Sequence, residues 1–350
     1  MRPTPTIRQL ALLAGVSRTT VSLSLRNHPS IPAATRERIQ KLAQQEGYQI
    51  DPLVATLMTQ LRIARRRRTQ EKLVYLTSWN ERDAWRASPN DAAFHEGAQI
   101  AAARLGYDVE HIWSQEPGLT GRRLSKILYT RGIRGVIIAP LPRPHQHIAL
   151  EWPHFAAAAI SETIIEPHLH RTTHSHGNGM KMMLQRLKEM GYQRIGLANL
   201  QEHERLVGHA WEAFYYVHHH SLPAAQRIPP LFLPTWEEKA FREWVRHHRP
   251  DVVVSNQLQP LHLLQACGHA VPDDIGYACL DLPAAQDAGI AGIDQLPRLV
   301  AAAAVDLVIT QLQSNEFGVP HQPKIVQLDG CWRDGKTLRA RTAAALATPK

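Results

Sequence analysis

Cysteine is scarce in this 350-residue chain. Cys267, Cys279 and Cys331 are the three present, too scattered for a disulfide framework or a Cys-x-x-Cys metal site. Each is expected to act as a small buried apolar residue. No run of about 18 apolar residues marks a membrane span, and the first residues lack the apolar segment of a secretory signal. Internal repeats and long low-complexity tracts are also missing. So are a Gly-x-Ser-x-Gly nucleophile elbow and a His-Glu-x-x-His zinc helix, which weighs against an enzyme carrying a nucleic-acid-binding head. These absences lead to the expectation of a soluble, reduced, cytoplasmic protein with no catalytic residue, no cofactor and no resident metal.

Acidic residues are also scarce, but only locally. Residues 1–70 hold 12 Lys and Arg against 3 Asp and Glu, whereas the whole chain holds 40 against 31. Both differences equal nine, so residues 71–350 balance at 28 and 28. All the formal net charge therefore lies on one-fifth of the chain, and an excess of that kind attracts a polyanion. The length calls for two or three domains, and the apolar fraction of 44% suffices for globular cores throughout.

The basic segment reads as a helix-turn-helix. Thr6 and Gln9 have capping-box spacing, followed by Leu10, Leu13 and Ala14 at helical intervals. Gly15 supplies the tight turn. Ser17 caps a second helix that turns Val21 and Leu25 inward and leaves Arg18, Thr19, Ser22 and Leu23 on the opposite face. In such a motif the second helix enters the major groove. Arg18 is suited to two hydrogen bonds with guanine, and Thr19 or Leu23 to a thymine methyl. Thr20, Ser22 and Asn27 are short polar groups suited to phosphate oxygens. A solvated helix face is the alternative for any one of them. With the helix-start residues Thr6 and Ser17, these form the candidate DNA-binding set. A third helix is expected over Pro32–Glu46, with Ile39, Leu42 and Ala43 closing a small core and Gly47 as its stop. Asp51-Pro52 then starts a short helix, Leu53–Met58.

Residues 6–61 resemble the DNA-binding head and hinge of the lactose-repressor (LacI/GalR) family. The resemblance is carried by Gly-Val-Ser-x-x-Thr-Val-Ser at 15–22, Thr-Arg-Glu-Arg-Ile at 35–39 and Gly-Tyr-x-x-x-Pro-Leu at 47–53. It implies that the hinge helices of two subunits pair in the central minor groove with Leu57 wedged between base pairs, a geometry that offsets unstacking with contacts to bent DNA. Packing on the partner helix is the alternative for Leu57. Val54-Ala55-Thr56 replaces the more usual Ala-Arg-Ser, which removes one hinge phosphate contact. Arg65 to Arg68 are placed either to hold phosphates beyond the hinge or to form a solvated linker.

From Leu73 onward apolar runs alternate with helical patterns. Strands are expected at Leu73–Thr77, Val109–Trp113, Gly135–Ala139, Ala156–Ile160, Arg194–Ala198, Val252–Ser255 and Tyr277–Leu280. Helices are expected at about 92–105, 121–131, 178–190, 205–219, 237–248, 259–268 and 298–312. This alternation implies parallel sheets covered on both faces. The order resembles the same family's body, which is similar to periplasmic sugar-binding proteins, with two Rossmann-like lobes joined by three crossing segments. The organisation expected is a helix-turn-helix domain over 1–50, a hinge helix and basic linker over 51–71, and a two-lobed effector-binding and dimerisation domain over 72–350.

Ligands of open α/β sheets bind beyond the carboxyl ends of the strands. The resemblance places Arg205, Asn256, Asp281 and Gln295 in that cleft as effector contacts. His174-Ser175 stands where sugar binders usually carry Asp-Asn, and Trp79 in a long first loop is suited to stack on a sugar or to pack structurally. The expected protein is a homodimeric regulator of repressor type that binds a pseudo-palindromic duplex operator under control of a small molecule, a carbohydrate being one class. The alternative is a ligand-independent, or metal- or pH-responsive, regulator with a degenerate cleft. His168, His170, His174 and His176 share one parity and would project to one side of an extended chain, but no Cys or carboxylate completes a ligand spacing.

Overall fold

The computed structural model describes residues 5–48, 71–142, 147–284 and 289–341. Three helices form the head: α1 (Ile7–Ala14), α2 (Arg18–Leu25) and α3 (Ala33–Gln45). The capping box is present, with the Gln9 amide N–H donating to Thr6 Oγ1 at 3.3 Å and the Thr6 N–H to Gln9 Oε1 at 2.7 Å. Gly15 lies at φ 65°, a left-handed conformation that a β-carbon disfavours. Leu10, Ala11, Ala14, Val21, Ile39 and Ala43 make the head core. Leu13 was expected inside and is 59% exposed, its place being taken by Ala11. The helix is only eight residues long, so its inward stripe fits just Leu10, Ala11 and Ala14.

The remainder folds into two six-stranded sheets. The first runs β11-β5-β4-β3-β1-β2 and the second β12-β10-β9-β8-β6-β7. In the first, β1 (Glu71–Thr77), β2 (Tyr107–Trp113), β3 (Gly135–Ile138), β4 (Ala156–Ile160), β5 (His170–His174) and β11 (Ile325–Leu328) are all parallel. In the second, β6 (Ile195–Leu200), β7 (Leu231–Leu233), β8 (Val252–Ser255), β9 (Gly276–Cys279) and β10 (Gly292–Asp294) are parallel and β12 (Cys331–Arg333) is antiparallel.

Strand alternation explains why both faces need cover. Leu73 and Tyr75 enter one core of the first sheet while Val74 and Leu76 enter the other. Val252 and Val254 are divided from Val253 in the same way in the second sheet. One cover of the first sheet is the pair α4 (Pro89–Arg104) and α11 (Pro297–Ser314). These helices approach closely through Ala98, Ala101, Ala301 and Ala304. At Gly97 an added β-carbon would lie 2.3 Å from the Arg298 carbonyl oxygen.

The chain passes between the sheets three times: at Ser175 after β5, at Gln295–Leu296 after β10, and at Asp329–Gly330 between β11 and β12. Helix α6 (His176–Glu189) begins directly after the first crossing. The expected strands are present within a residue or two. Five others, β5, β7, β10, β11 and β12, carry no clear periodic signal. β5 is His-Arg-Thr-Thr-His, buried at four of five positions, so neighbouring strands rather than its own hydropathy make it a strand. The helix expected over 205–219 is two: α7 (Gln201–Leu206) and α8 (Ala210–Ser221). They are separated by Gly208 and His209 at φ 60° and 59°.

Candidate effector cleft and DNA-reading head

Helix α2 begins at Arg18, after Ser17, whose Oγ accepts the Thr20 N–H at 3.0 Å. Ser17 and Thr20 also join hydroxyl to hydroxyl at 2.8 Å. Arg18 and Thr19 are exposed at the open end of the helix, where unsatisfied N–H groups and the helix dipole favour anions. Further along, the Arg26 guanidinium donates to the Ser22 hydroxyl at 2.5 Å, and Leu23 is half-buried. Asn27, at φ 55°, accepts from Gln40 Nε2 at 2.8 Å. Thr6, Ser17 and Asn27 thus already shape the head. Leu57 and Arg65 to Arg68 lie outside the described residues.

Between the lobes, at the carboxyl ends of both parallel sheets, is a cavity of about 470 Å³. That is within the range of small-molecule sites. Trp79 and Ser88 enter it after β1, Pro140 and Leu141 after β3, and Ser161 and Thr163 after β4. The second lobe contributes His203 after β6, Asn256 and Gln257 after β8, Asp281 after β9 and Gln295 after β10. Several polar groups are pinned by protein partners. Asn199 Oδ1 accepts the Asn256 N–H at 2.9 Å, the Asn256 amide bonds His203 Nδ1 at 2.9 Å, and Gln295 Nε2 donates to the Leu280 carbonyl at 2.9 Å.

Other groups lining the cavity have no protein partner. Both ring nitrogens of His174, Nδ1 of His176, Nε1 of Trp79, Nε1 of Trp211 and Oδ1 of Asn256 are buried without a hydrogen bond. Unpaired buried polar atoms cost about 1–3 kcal/mol each, and the residues that carry these all line one cavity. His174, His176 and Trp211 form a run of edge contacts, with ring centroids 5.2 Å and 5.0 Å apart. The His174 ring fits because Gly179 and Gly330 flank it: a β-carbon would come within 2.7 Å of Nε2 at the first and 2.8 Å of Cε1 at the second. Burial lowers the pKa of His174 to about 4 and, together with the neighbouring His174, that of His176 to about 3. Both imidazoles are therefore neutral near pH 7.

Residues 6–51 match the profile of the bacterial regulatory proteins of the lacI family. The head is therefore a DNA-binding domain of that family's type. No curated protein matched it. Among solved structures, a transcriptional regulator, CelR, in complex with cellobiose is 19% identical at a TM-score of 0.55, covering 95% of this chain and 99% of that one. The lac repressor dimer bound to operator and the anti-inducer ONPF is 17% identical at 0.55, covering 96% and 99%. A putative LacI-family regulator from Rhizobium etli is 12% identical at 0.59, covering 77% and 99%. At these identities the likeness establishes the two-lobed fold.

Of the residues assigned to the effector by sequence, Trp79, His174, Asn256, Asp281 and Gln295 line the interlobe cavity. Arg205 does not. It lies in the last turn of α7, 65% exposed and 3.8 Å from Glu202. Because α7 starts right at the end of β6, His203, Leu206 and Val207 turn inward and Arg205 turns out. The break after α7 is held by buried Glu204, which accepts from Asn199 Nδ2 at 2.7 Å and from the Glu212 N–H at 3.1 Å. Glu204, His209 and Glu212 also bring one donor atom each within 4.8 Å. Glu204 is already engaged structurally there. The His168–His176 series gathers no such group among the described residues.

Asn90, Asp91, Phe94, His176, His203 and Trp211 also line this cavity, although sequence did not mark them as effector contacts. His203 and Trp211 flank the misplaced helix start. Asn90 and Asp91 sit in the first turn of α4, whose Ser88-Pro89 beginning is a legible cap. Another pattern points the other way. Gly330–Thr337 spells Gly-x-x-x-x-Gly-Lys-Thr, the signature of a phosphate-binding loop. Here Cys331–Arg333 is an edge strand and no helix follows among the described residues, so the strand–loop–helix cradle does not form.

Proposed function

We propose that this protein is a transcriptional regulator that binds a pseudo-palindromic duplex operator as a homodimer and that a small molecule in the interlobe cavity controls that binding. The observation that carries the reading is the conjunction, on one chain, of a lacI-type head with a 470 Å³ cavity lined by polar side chains from both lobes, among them Asn90, Asp91, Asn256 and Asp281. Arg18, Thr19 and Leu23 are the base-edge candidates and Thr20 and Ser22 the backbone candidates. Leu57 is the minor-groove wedge. Control follows from position: a ligand touching both lobes and the His174 crossing binds one lobe arrangement better than another, and that difference is the coupling energy. The known structures of this fold include complexes with cellobiose and ribose, and a carbohydrate is compatible with Trp79 as a stacking face.

The test is selection of bound duplexes from random DNA at near-physiological salt, with the full-length wild type and Leu57→Ala. A two-fold-symmetric site bound much more weakly by the variant supports the dimeric, hinge-wedging reader. An enriched site without symmetry, or one indifferent to Leu57, refutes it.

A further inference from the structure

The cavity brings together carboxyl groups from opposite lobes without a cation between them. Asp91 comes from the first turn of α4 and Asp281 from the end of β9. Asn90 fixes their proximity. Its Nδ2 donates to Asp281 Oδ1 at 2.8 Å and its Oδ1 accepts the Ala284 N–H at 2.8 Å, tying the start of α4 to the second lobe. Among the described residues neither aspartate makes an ion pair, and no Lys or Arg lines the cavity. Their donors are neutral: the Ser88 hydroxyl for Asp91 and the Asn90 amide for Asp281. The cavity imidazoles are held neutral by burial.

We propose that the effector carries a protonated amine, seated beside Asp91 and Asp281 and against Trp79. This rests on the reading of the cavity as the effector site and names the ligand class it takes. Two carboxylates in an enclosed site repel each other and are poorly hydrated, and a cation relieves both effects at once. Indole faces strengthen the preference through their negative π-surface. An uncharged polyol satisfies hydrogen bonds but leaves the paired charge in place. An anion adds to it. Burial raises Asp91 to about 6, while burial together with Asp91 and Asp294 raises Asp281 to about 7. The other titratable groups facing them are Tyr75 behind Asp91 and Cys279 beside Asp281.

The experiment divides a bacterial small-molecule extract on a cation exchanger at pH 7.5 and adds each fraction to the full-length protein during thermal unfolding. The retained fraction is expected to raise the melting temperature by on the order of 5 °C at saturation. The shift should be larger at pH 8 than at pH 5.5, and it should vanish in Asp91→Asn/Asp281→Asn. Stabilising activity confined to the flow-through overturns the amine proposal while leaving an effector site intact. No activity in either fraction counts against the effector reading itself. A ligand-free control guards against a misfolded variant: Asp91→Asn alone should melt higher than wild type at pH 8, with the difference shrinking as pH falls through 6 toward 4. A lower melting temperature of the variant at pH 8 would show that the carboxyls do not repel, and would overturn the proposal.

Discussion

Ser24→Ala should stabilise the head. Ser24 is fully buried in α2, and its Oγ has no hydrogen-bond partner. Its carbonyl accepts from Gln40 Nε2 at 3.0 Å and from the Asn27 N–H at 3.1 Å, and alanine keeps both bonds. An unsatisfied buried hydroxyl costs about 1–3 kcal/mol. Alanine adds up to roughly 0.5 kcal/mol of helix propensity. The void left by one oxygen offsets little of this, so a net gain of about 1–3 kcal/mol is expected. In a small domain each kcal/mol moves the midpoint by roughly 4–8 °C. Calorimetry of the full-length protein should therefore show the head transition rising while the body transition stays put. Affinity for the selected operator should be unchanged, because Ser24 lies on the face opposite Arg18 and Thr19. A falling head transition would refute the reasoning: it would mean that the hydroxyl bonds a carbonyl one turn back, and that alanine removes a useful bond.

Arg18→Ala should weaken operator binding by about 1–3 kcal/mol and relax specificity at one position in each half-site; repeating the selection with the variant checks both effects. Gly97→Ala should destabilise the body by at least about 1–3 kcal/mol, since its β-carbon meets backbone atoms of Arg298 that have no rotamer to yield; urea unfolding reads this. Stability should also fall as pH rises. Asp91 and Asp281 hold their protons more tightly when folded, at about 6 and 7. Their contribution is therefore full below the unfolded carboxyl pKa of about 4 and is lost as pH climbs from there through those values. A melting profile from pH 4 to 8 that slopes down in wild type and flattens in Asp91→Asn/Asp281→Asn is the expected result.

Local chemistry determined much of this protein. The caps at Thr6, Ser17 and Ser88, the left-handed Gly15 and the valine run of β8 act through groups within a turn or so of chain, so residue order alone reveals them. The same holds for the charge excess of the first seventy residues. Cap spacing and charge together therefore assign the head to DNA reading, and the alternation beyond it already implies parallel sheets.

Only the tertiary structure decided the site. β5 is a strand because β4 and β11 pair with it, despite its histidines and threonines. Arg205 points outward because α7 begins four residues earlier than hydropathy suggested and ends at a break held by buried Glu204. Asp91 and Asp281, far apart along the chain, become neighbours only when two lobes close on each other and Asn90 spans the gap. Whether a carboxyl is charged, or an imidazole neutral, depends on which atoms exclude water from it. Those atoms come from every part of the chain, so the pocket's chemistry is a property of the folded arrangement.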